Sequence, residues 1–483
     1  MTTRAAIGLD VGTSSVKAVA VSARGEVVAR AEEPYPLSTP RPGWSEQDPR
    51  DWWRATEAVL GRLGVDAVAG IGLSGQMHGL VALDRRGDVL RPAILWNDQR
   101  TAKECAVIEE RVGRARLVEL TGNRALTGFT APKLLWLRAN EPETYARVAH
   151  VLLPKDYVRL RLTGELAADV TDASGTLLFD VARRRWSDEV VDALELDARV
   201  LPPVLESHEI SGRTSAGVPV AAGAGDQAAG AVGVGVVRPG ALSVALGTSG
   251  VVFAPLPEFV FDEGARLHVF CHALPGAWHA MGVMLSAAGS LAWLHAALGG
   301  DASYDALLAD AARWEPGVEG LVFLPYLAGE RTPHADPDAR ASFTGLSLRH
   351  DRGAFVRAVL EGVAYGLRDS LELVRALGVE TRGARVSGGG ARSELWLRIV
   401  ASVLGIPLEV TAVEEGAAFG AALLGAVAGG EFAGAGEAID SCVSVRRTVE
   451  PVDAWRDAYD DGYATFRALY PAIESARRAG PAS

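Results

Sequence analysis

The chain has 483 residues, enough for two or three domains, and its 48% apolar and 22% charged residues are typical of a soluble globular protein. The net charge of −12 argues against nucleic acids and anionic membranes as partners, because both are themselves negatively charged. The three cysteines, Cys105, Cys271 and Cys442, lack the spacing of metal ligands, so we expect free, buried thiols in a reducing cytoplasm. Asp10 interrupts the apolar stretch near the N-terminus, so no signal peptide is predicted.

The first predicted element is a β-hairpin over residues 6–21 whose tip is suited to bind phosphate. Its Gly-Thr-Ser-Ser tip combines a glycine, which permits a tight turn, with the hydroxyl groups of Thr13 and Ser14 and with backbone N–H donors. Lys17 adds a cation, and Asp10 offers the carboxylate oxygens that Mg²⁺ prefers. A buried N-terminal hairpin with a polar turn would explain this stretch equally well.

A second copy of this hairpin lies far downstream, where a Gly-Thr-Ser turn containing Thr248 again joins two apolar strands. In this copy Ala245 stands where the first has Asp10, so a single metal site is expected. A repeat separated by about the length of a domain predicts a duplication, with one turn from each domain facing a shared cleft. We therefore predict two domains, 1–238 and 239–483.

A helix over residues 50–63 contains Trp53, which we expect in the core, whereas the place of Trp52 is left open. The next buried strand leads to two glycines that bracket Met77 and His78, and this spacing indicates backbone held close to something small. On this pattern alone, a structural histidine in a turn is the simpler interpretation of His78.

Two further polar segments have structural interpretations. Asp98 and Arg100 are explained by an ion pair at the start of a helix, with contact to a polyol as the alternative. Residues 169–180 are predicted to be a loop.

A strand that ends in a Gly-x-Gly turn places Asp226 at the start of a helix of small residues. Because ligands of open α/β sheets bind beyond the carboxyl ends of the strands, Asp226 is expected to face a cleft. Its structural alternative is a helix N-cap, and both roles are compatible. The helix N-terminus is expected to keep the carboxylate ionised, as a base that accepts a hydroxyl proton requires.

Three consecutive glycines, residues 388–390, follow another strand and precede a helix that begins near Ser393. No Cβ would block a base or ribose there, and the helix N-terminus favours anions, although glycine runs also form plain turns. Residues 416–430 are rich in alanine and glycine but too short to span a bilayer, so close packing between helices is predicted.

Taken together, these junctions resemble the FGGY carbohydrate kinases, which have the actin-like ATPase fold. The matching segments are Asp10–Lys17, Gly225–Gln227, Leu246–Ser249 and Gly388–Ala391, with Gly128–Trp136 and Thr344–Glu361 similar to the two family signatures. The resemblance covers essentially the whole chain. It implies an α/β protein with two actin-like ATPase (ribonuclease-H-like) domains, related by duplication, and a cleft between them.

The resemblance also implies roles for individual residues in an ATP-dependent sugar kinase. Asp226 would be the general base on a sugar hydroxyl, with Met77, His78 and Gln227 lining the sugar pocket, and Asp10 would act through Mg²⁺. The remaining residues would hold the phosphates and the adenosine of ATP: Thr13, Ser14, Lys17, Thr248, Gly389, Gly390 and Ser393.

Several segments are most similar to the family members that phosphorylate the ketopentose D-xylulose at O5. These segments are residues 44–49, 75–79, 96–98, 153–157 and 270–275. Members that act on glycerol have an Arg-Glu pair where this chain has Met77 and His78, and Gln227 departs from the asparagine of some xylulose-specific members. The alternatives are a kinase of another ketose or polyol, such as ribulose, or a non-catalytic actin-like nucleotide-binding protein. A small-molecule sugar and ATP are the expected partners, without nucleic acid or membrane, and a homodimer is left open.

Overall fold

The computed structural model describes residues 4–65, 67–413 and 416–479, and this part of the chain contains two seven-stranded sheets. We call the elements built on the first sheet the N-terminal lobe and those built on the second sheet the C-terminal lobe. The strands of the first sheet are Ala5–Val11, Ser15–Ser22, Val27–Pro34, Val68–Gly75, Ile210–Arg213, Pro219–Ala221 and Ala224–Gly225. The strands of the second sheet are Gly240–Leu246, Gly250–Leu256, His268–Cys271, Trp278–Met284, Thr381–Ser387, Leu408–Thr411 and Val445–Val449.

Six strands of each sheet share one order. In each sheet, three antiparallel strands lie side by side, the first of them pairs with a parallel strand, and a second parallel strand and an antiparallel strand follow. The seventh strand differs: Ala224–Gly225 lies beside Val68–Gly75 in the first sheet, whereas His268–Cys271 forms an edge of the second. Both predicted hairpins are present, and their Gly-Thr-Ser tips join the first two of the three antiparallel strands in each sheet. The predicted α/β class is therefore confirmed, and the common order is what a duplication predicts.

Helices cover both sheets and connect their strands. Those that precede the second sheet are Pro49–Leu63, Ala102–Ile108, Arg114–Thr121, Thr130–Asn140, Pro142–Tyr145, Pro154–Thr163, Val170–Ser174, Asp188–Ala193 and Asp226–Gly233, with a π-helix at Glu109–Gly113. The later helices are Ala288–Ala297, Tyr304–Ala311, Arg352–Ala376, Glu394–Leu404, Gly416–Ala428, Ala435–Cys442 and Arg456–Ala479. Short strand pairs join Glu46–Gln47 to Ala93–Ile94, Val81–Leu83 to His150–Leu152, Ala168–Asp169 to Val204–Leu205, Phe179–Asp180 to Arg185–Trp186, and Val322–Leu324 to Ser342–Thr344. Single 3₁₀ turns lie at Ala198–Val200, Val318–Gly320, Gly389–Arg392 and Asp453–Trp455.

The burial of the two tryptophans in the first helix differs from the prediction. Asp48 caps the helix by accepting a hydrogen bond from the backbone N–H of Arg50. Trp52, however, is fully buried, whereas Trp53 is only half-buried. A polar contact helps to explain the burial of Trp52, because its indole N–H donates a hydrogen bond to the Gln47 side chain at 3.0 Å inside the N-terminal lobe.

Two other structural interpretations have clear outcomes. Arg100 forms the expected ion pair with Asp98, at 2.7 Å, and both side chains are almost completely buried. The prediction of a loop at 169–180 is wrong, because residues Val170–Ser174 form a short helix. Asp169 caps that helix by accepting from Thr171 and Asp172, a local signal that the sequence already contained.

The helix Gly416–Ala428 lies in sequence between two strands of the second sheet, Leu408–Thr411 and Val445–Val449, but it packs on the first sheet and on the helix Asp226–Gly233. The approach is so close that a Cβ added at Gly72 would lie 1.8 Å from the carbonyl oxygen of Ala421. A Cβ at Gly420 would likewise lie 1.9 Å from the carbonyl oxygen of Ala229. The predicted close packing of this alanine- and glycine-rich segment is therefore confirmed, and it fixes the helix that begins at Asp226.

Among the described helices, none combines the length and the apolar character needed to cross a bilayer. All three cysteines are free thiols, with Cys271 and Cys442 buried as predicted and Cys105 only half-buried.

Candidate active site

Asp226 lies where two cavities between the lobes meet. It is the first residue of its helix and follows the strand Ala224–Gly225, with Gly225 as the N-cap, so the N-cap interpretation of Asp226 is wrong. We call one cavity the His78 cavity; its lining includes Gln76, Met77, His78, Trp96, Gln227 and Arg331. We call the other the Asp10 cavity; its lining includes Asp10, Lys17, Gln227, Ala245 and Gly388. The Asp226 side chain lines both cavities.

The environment of Asp226 raises the pKa of its carboxyl to about 7. Burial in the cleft is the main cause, the negative charge of Asp10 adds to it, and hydrogen bonds from Gln227 offset only part of the effect. The expectation that the helix N-terminus keeps this carboxylate ionised is therefore wrong, since desolvation exceeds the effect of the helix dipole. A carboxylate with this pKa is instead matched to accepting a proton near neutral pH.

Asp10 ends the first strand opposite Lys17, on the wall of the Asp10 cavity. Burial raises the pKa of its carboxyl, and the Ser74 hydroxyl and the Lys17 ammonium offset this only in part. Its Oδ1 atom is buried and accepts no hydrogen bond from the described residues. An orphaned carboxylate oxygen in a polar cavity, close to a second carboxylate at Asp226, fits a hard divalent cation such as Mg²⁺.

The tip of the first hairpin is held from behind by side chains that leave its outer face open. The Trp96 indole donates to the hydroxyl oxygen of Thr13 at 3.1 Å, and the Gln47 amide donates to the Thr13 carbonyl at 2.6 Å. Thr13 is half-buried, whereas Ser14 and Lys17 are exposed at the tip. Trp96 also lines the His78 cavity and thus connects the hairpin tip to that cavity.

A chain of hydrogen bonds places the Gln76 amide at the wall of the His78 cavity. Its Nε2 atom donates to the Gln47 side chain at 3.0 Å and to the Gly12 carbonyl at 3.2 Å. Its Oε1 atom has no partner among the described residues and is therefore available to accept from a ligand hydroxyl. The sequence analysis did not select Gln76, although the two glycines that bracket Gln76, Met77 and His78 were a usable signal.

His78 is held by both its backbone and its ring. Its φ of 68° lies in the left-handed region, and its carbonyl accepts from Lys133 Nζ at 2.8 Å and from the Thr130 hydroxyl at 3.0 Å. The ring Nδ1 lies 2.6 Å from the Gly175 carbonyl, so Nδ1–H donates and Nε2 is left as an acceptor. Burial lowers the pKa of His78 to about 3, with Lys133 and Arg331 adding to the effect, so the imidazole is neutral.

The short helix Val170–Ser174 supports both sides of the site. Its Thr171 hydroxyl accepts from the backbone N–H of Gly225 at 2.8 Å, one residue before Asp226. The same hydroxyl donates to Asp169 at 2.5 Å. The Gly175 carbonyl that holds His78 immediately follows this helix, and a Cβ at Gly175 would lie 2.5 Å from the His78 ring.

Behind this helix lies a fully buried group of charges that we call the Lys155 cluster. Lys155 Nζ lies 2.7 Å from Asp156, 2.5 Å from Asp169 and 3.0 Å from Asp172, and Arg159 also pairs with Asp156. The three carboxylates are close enough to bind one cation, but the Lys155 ammonium already occupies that place. Burial is the main cause of the raised pKa of Asp172, the charges of Asp169 and Asp156 add to it, and Lys155 offsets part of the effect.

The second hairpin tip faces the cavities in a similar way. Thr248 is exposed, and its carbonyl accepts from the N–H groups of Ala287 and Gly289 at the start of a helix. Its neighbour Ser249, which the sequence analysis did not select, lines the His78 cavity. Ala245 lies on the wall of the Asp10 cavity, so the structure places the position equivalent to Asp10 in the same cleft.

Of the glycine run, Gly388 lines the Asp10 cavity, whereas Gly389 is exposed and Gly390 is buried against Leu246 and Trp396. The Ser393 hydroxyl caps the following helix by accepting from the Trp396 N–H at 3.2 Å. Contacts of Gly389, Gly390 and Ser393 with a nucleotide stay predictions.

Comparison with known proteins places this site in a family. Residues 5–233 match the N-terminal domain, and residues 242–429 the C-terminal domain, of the FGGY family of carbohydrate kinases. The chain belongs to the FGGY family of carbohydrate kinases. It is accordingly an ATP-dependent sugar kinase, as the resemblance of its motifs implied.

Relatives of this carbohydrate kinase match it over most of its length. A xylulose kinase of Escherichia coli K12 is 47% identical over 436 residues, which are 87% of this chain and 90% of that protein. A xylulose kinase of Lactococcus lactis is 42% identical over 88% of both chains. The crystal structure of a xylulose kinase from Rhodospirillum rubrum superposes with a TM-score of 0.91 at 33% identity, covering 98% of this chain and 99% of that one. The expected two-domain fold of the actin-like ATPase type is thereby confirmed.

Proposed function

We propose that this kinase transfers the γ-phosphoryl group of ATP to O5 of D-xylulose, with Asp226 as the general base. The relatives described above are xylulose kinases, which supports the choice of sugar. The observation that supports the mechanism best is that one carboxylate, Asp226, lines both the His78 cavity and the Asp10 cavity. A sugar in the first and a triphosphate in the second would meet at that carboxylate.

In the proposed reaction, Asp226 accepts the proton of the O5 hydroxyl as that oxygen bonds to the γ-phosphorus. The bond from this phosphorus to the β,γ-bridging oxygen breaks, and ADP leaves with the electron pair. Because phosphoryl transfer has a loose transition state, alignment and charge stabilisation provide most of the catalysis. The pKa of about 7 suits Asp226 to this step, since it can accept a proton and release it again near neutral pH.

The His78 cavity offers the sugar several fixed acceptors and donors. His78 presents its neutral Nε2, Gln76 presents an unpartnered Oε1, and the amide of Gln227 is adjacent to the base. Met77 packs its thioether against Gly225, where an added Cβ would lie 2.8 Å from its Cγ, and so forms an apolar wall. This mixture of an apolar wall and a few oriented polar groups is typical of a small-molecule site.

The Asp10 cavity would hold the phosphates of ATP between the two hairpin tips. Thr13, Ser14 and Lys17 would bind them from the N-terminal lobe, and Thr248 from the C-terminal lobe. Asp10 would hold Mg²⁺, which when bound neutralises phosphate charge. Gly389, Gly390 and Ser393 would contact the adenosine part, beyond the cleft-lining Gly388.

The substrate is tested with a panel of D-xylulose, D-ribulose, L-ribulose, glycerol and gluconate in a coupled assay of ADP release. We expect D-xylulose to give the highest kcat/KM. A higher value for ribulose or a polyol would assign the kinase to that sugar, and no sugar-dependent release would favour a non-catalytic nucleotide-binding protein.

The base is tested with Asp226→Asn, which should lower kcat about 10² to 10⁴-fold while the protein still binds the sugar. Asp188→Asn is a matched control, because Asp188 also opens a helix but lies on the surface. If Asp226→Asn kept most of its sugar-dependent ADP release, another group would have to be the base.

A further inference from the structure

Arg331 lines the His78 cavity from the C-terminal lobe, opposite Met77 and His78 of the N-terminal lobe. It lies in the segment that follows the strand Val322–Leu324. No motif or spacing in the sequence marked this arginine as a candidate site residue.

The backbone of Arg331 is fixed on both sides. Glu330 Oε1 accepts from the N–H groups of Leu285 at 3.0 Å and of Arg331 itself at 2.7 Å. On the other side, Thr332 exchanges hydrogen bonds with Val283, through its backbone N–H at 2.9 Å and its hydroxyl at 3.0 Å. Because both flanking residues are tied to one edge of the second sheet, the side chain between them has a defined starting point at the cavity wall.

The half-buried Arg331 differs in its pairing from two arginines whose side chains are buried. Arg100 pairs with Asp98 at 2.7 Å, and Arg357 pairs with Glu361 at 2.7 Å. Within the described part of the chain, no hydrogen bond or ion pair joins the Arg331 guanidinium to another side chain or to a carbonyl. The adjacent Glu330 does not neutralise it fully, because burial raises the pKa of that carboxyl to about 8.

Arg331 is half-buried in the cavity wall, and a cationic group there without a partner in the protein is available to donate to a ligand. The position of the charge indicates which part of the ligand would accept. The Arg331 charge acts on His78 and on His268, where burial is the main cause of the low pKa. The pKa of Asp226, by contrast, is set by burial, by Asp10 and by Gln227. Arg331 thus lies at the His78 end of the cavity, away from the reacting hydroxyl.

We propose that Arg331 is a specificity-determining residue that donates hydrogen bonds to the oxygens on C1 and C2 of the ketose. This inference rests on the proposed function, since Asp226 at O5 leaves the keto end of the sugar to face His78 and Arg331. The planar guanidinium can donate to two neighbouring oxygens at once, which a lysine cannot do. It is also the charged side chain that the C-terminal lobe contributes to the lining of the His78 cavity.

The test compares Arg331→Met and Arg331→Lys with the wild type, using D-xylulose, 1-deoxy-D-xylulose and xylitol as sugars. We expect Arg331→Met to raise KM for D-xylulose about 10- to 100-fold, with kcat and KM for ATP changed less than about threefold. The preference of the wild type for D-xylulose over at least one analogue should shrink about tenfold in this variant. Arg331→Lys should fall between the two, because it keeps the charge but not the paired donors.

Arg266→Met is the matched control, because the Arg266 side chain pairs with Asp262 at the surface of the same lobe. If Arg331→Met does not fold, Arg331→Gln, which keeps a polar group, replaces it in the same comparison. An unchanged KM for D-xylulose, or an undiminished preference over both analogues, would overturn the proposal. A rise in KM for ATP alone would assign Arg331 to the phosphates instead.

Failure of the proposed function would appear separately, in the wild type. If the wild type prefers another sugar of the panel, the same comparison is made with that sugar. Its analogues that are deoxygenated or reduced at the end remote from Asp226 then replace 1-deoxy-D-xylulose and xylitol. The comparison between the wild type and Arg331→Met then still decides whether Arg331 recognises the end of the sugar remote from the base.

Discussion

The Lys155 cluster and the cleft at Asp226 are both rich in charge, but they differ in how that charge is balanced. In the cluster, Lys155 lies within 3.0 Å of three carboxylates, and every member is fully buried. In the cleft, Asp10 has an orphaned oxygen, Asp226 has a pKa near 7, and Arg331 has no paired carboxylate among the described residues.

The difference separates scaffold from site. A balanced buried cluster fixes the position of the elements that contain it, and removing one partner leaves an unpaired charge. Unbalanced charges in a cleft destabilise the empty protein and are satisfied when ligands of opposite charge bind. The two regions are joined by Asp169 and Thr171, so the cluster also positions the residue that precedes Asp226.

A large effect on activity is expected at Asp10. The substitution Asp10→Asn removes the carboxylate that would hold Mg²⁺ and should lower kcat/KM for ATP about 100-fold or more. The reason is that a bound metal stabilises the charge of the transition state by several kcal/mol. The half-saturating Mg²⁺ concentration, measured by activity at fixed ATP, should rise as well. An unchanged Mg²⁺ titration would place the metal elsewhere.

Lys155→Met tests the opposite region and should destabilise the fold by about 3–5 kcal/mol, because three buried carboxylates lose their central cation. Urea unfolding monitored by tryptophan fluorescence measures this loss. Arg161→Met is a suitable control, since Arg161 lies on the same helix as Lys155 but is exposed, with its guanidinium over the ring of Trp53. A loss below about 1 kcal/mol would mean that the cluster is not a structural unit.

Thr171→Val tests the connection between the two regions. The backbone N–H of Gly225 loses its buried acceptor, which should cost about 1–3 kcal/mol of stability. Because Asp226 follows Gly225, kcat should fall about tenfold or more while KM for the sugar stays nearly constant. Thr171→Ser restores the hydroxyl and should restore kcat. A variant with reduced stability but normal kcat would limit Thr171 to a structural role.

The free energy of unfolding should depend on pH through the titration of Asp226. Its pKa is raised from 3.8 to about 7 by folding, so the folded state binds the proton more tightly and this contribution to stability is lost as pH rises from about 4 to 7. Asp226→Asn should therefore gain about 4 kcal/mol of stability relative to the wild type between pH 4 and pH 8, because one pKa unit corresponds to about 1.4 kcal/mol. Thermal unfolding of both proteins across this range, without ligands, is the measurement.

The smallest effect is expected for Asp172→Asn. Burial raises the pKa of Asp172 and so favours the neutral form of this carboxyl, and a neutral amide of the same shape should change the free energy of unfolding by less than about 0.5 kcal/mol. A loss of several kcal/mol would show that the charge of Asp172 contributes to the stability of the cluster.

Much of the site could be predicted from the sequence, because its key residues lie at junctions with strong local signals. The Gly-Thr-Ser turns end recognisable strands, and Asp226 follows a Gly-x-Gly turn before a helix. Met77, His78 and Gln227 all line the His78 cavity, whereas their contacts with a sugar, which the family resemblance implied, stay predictions. The close packing of the helix Gly416–Ala428 followed from its composition alone.

What could not be predicted depends on residues that are distant in sequence. Lys133 binds the carbonyl of His78, and Gln47 binds Gln76, through contacts that no local pattern indicates. The burial of Trp52 could not be predicted for the same reason, because its hydrogen bond to Gln47 explains that burial better than helix periodicity does.

The sequence by itself determined the duplicated framework and the position in the chain of Asp226, the proposed base. These features arise from the conformational preferences of glycine, small residues and alternating apolar residues, which act between neighbours. Only the tertiary structure decided which charges are paired, where the pKa of Asp226 lies, and that Arg331 lines the His78 cavity. The physical reason is that desolvation and Coulomb interactions depend on distance in space, so they are fixed only when the lobes come together.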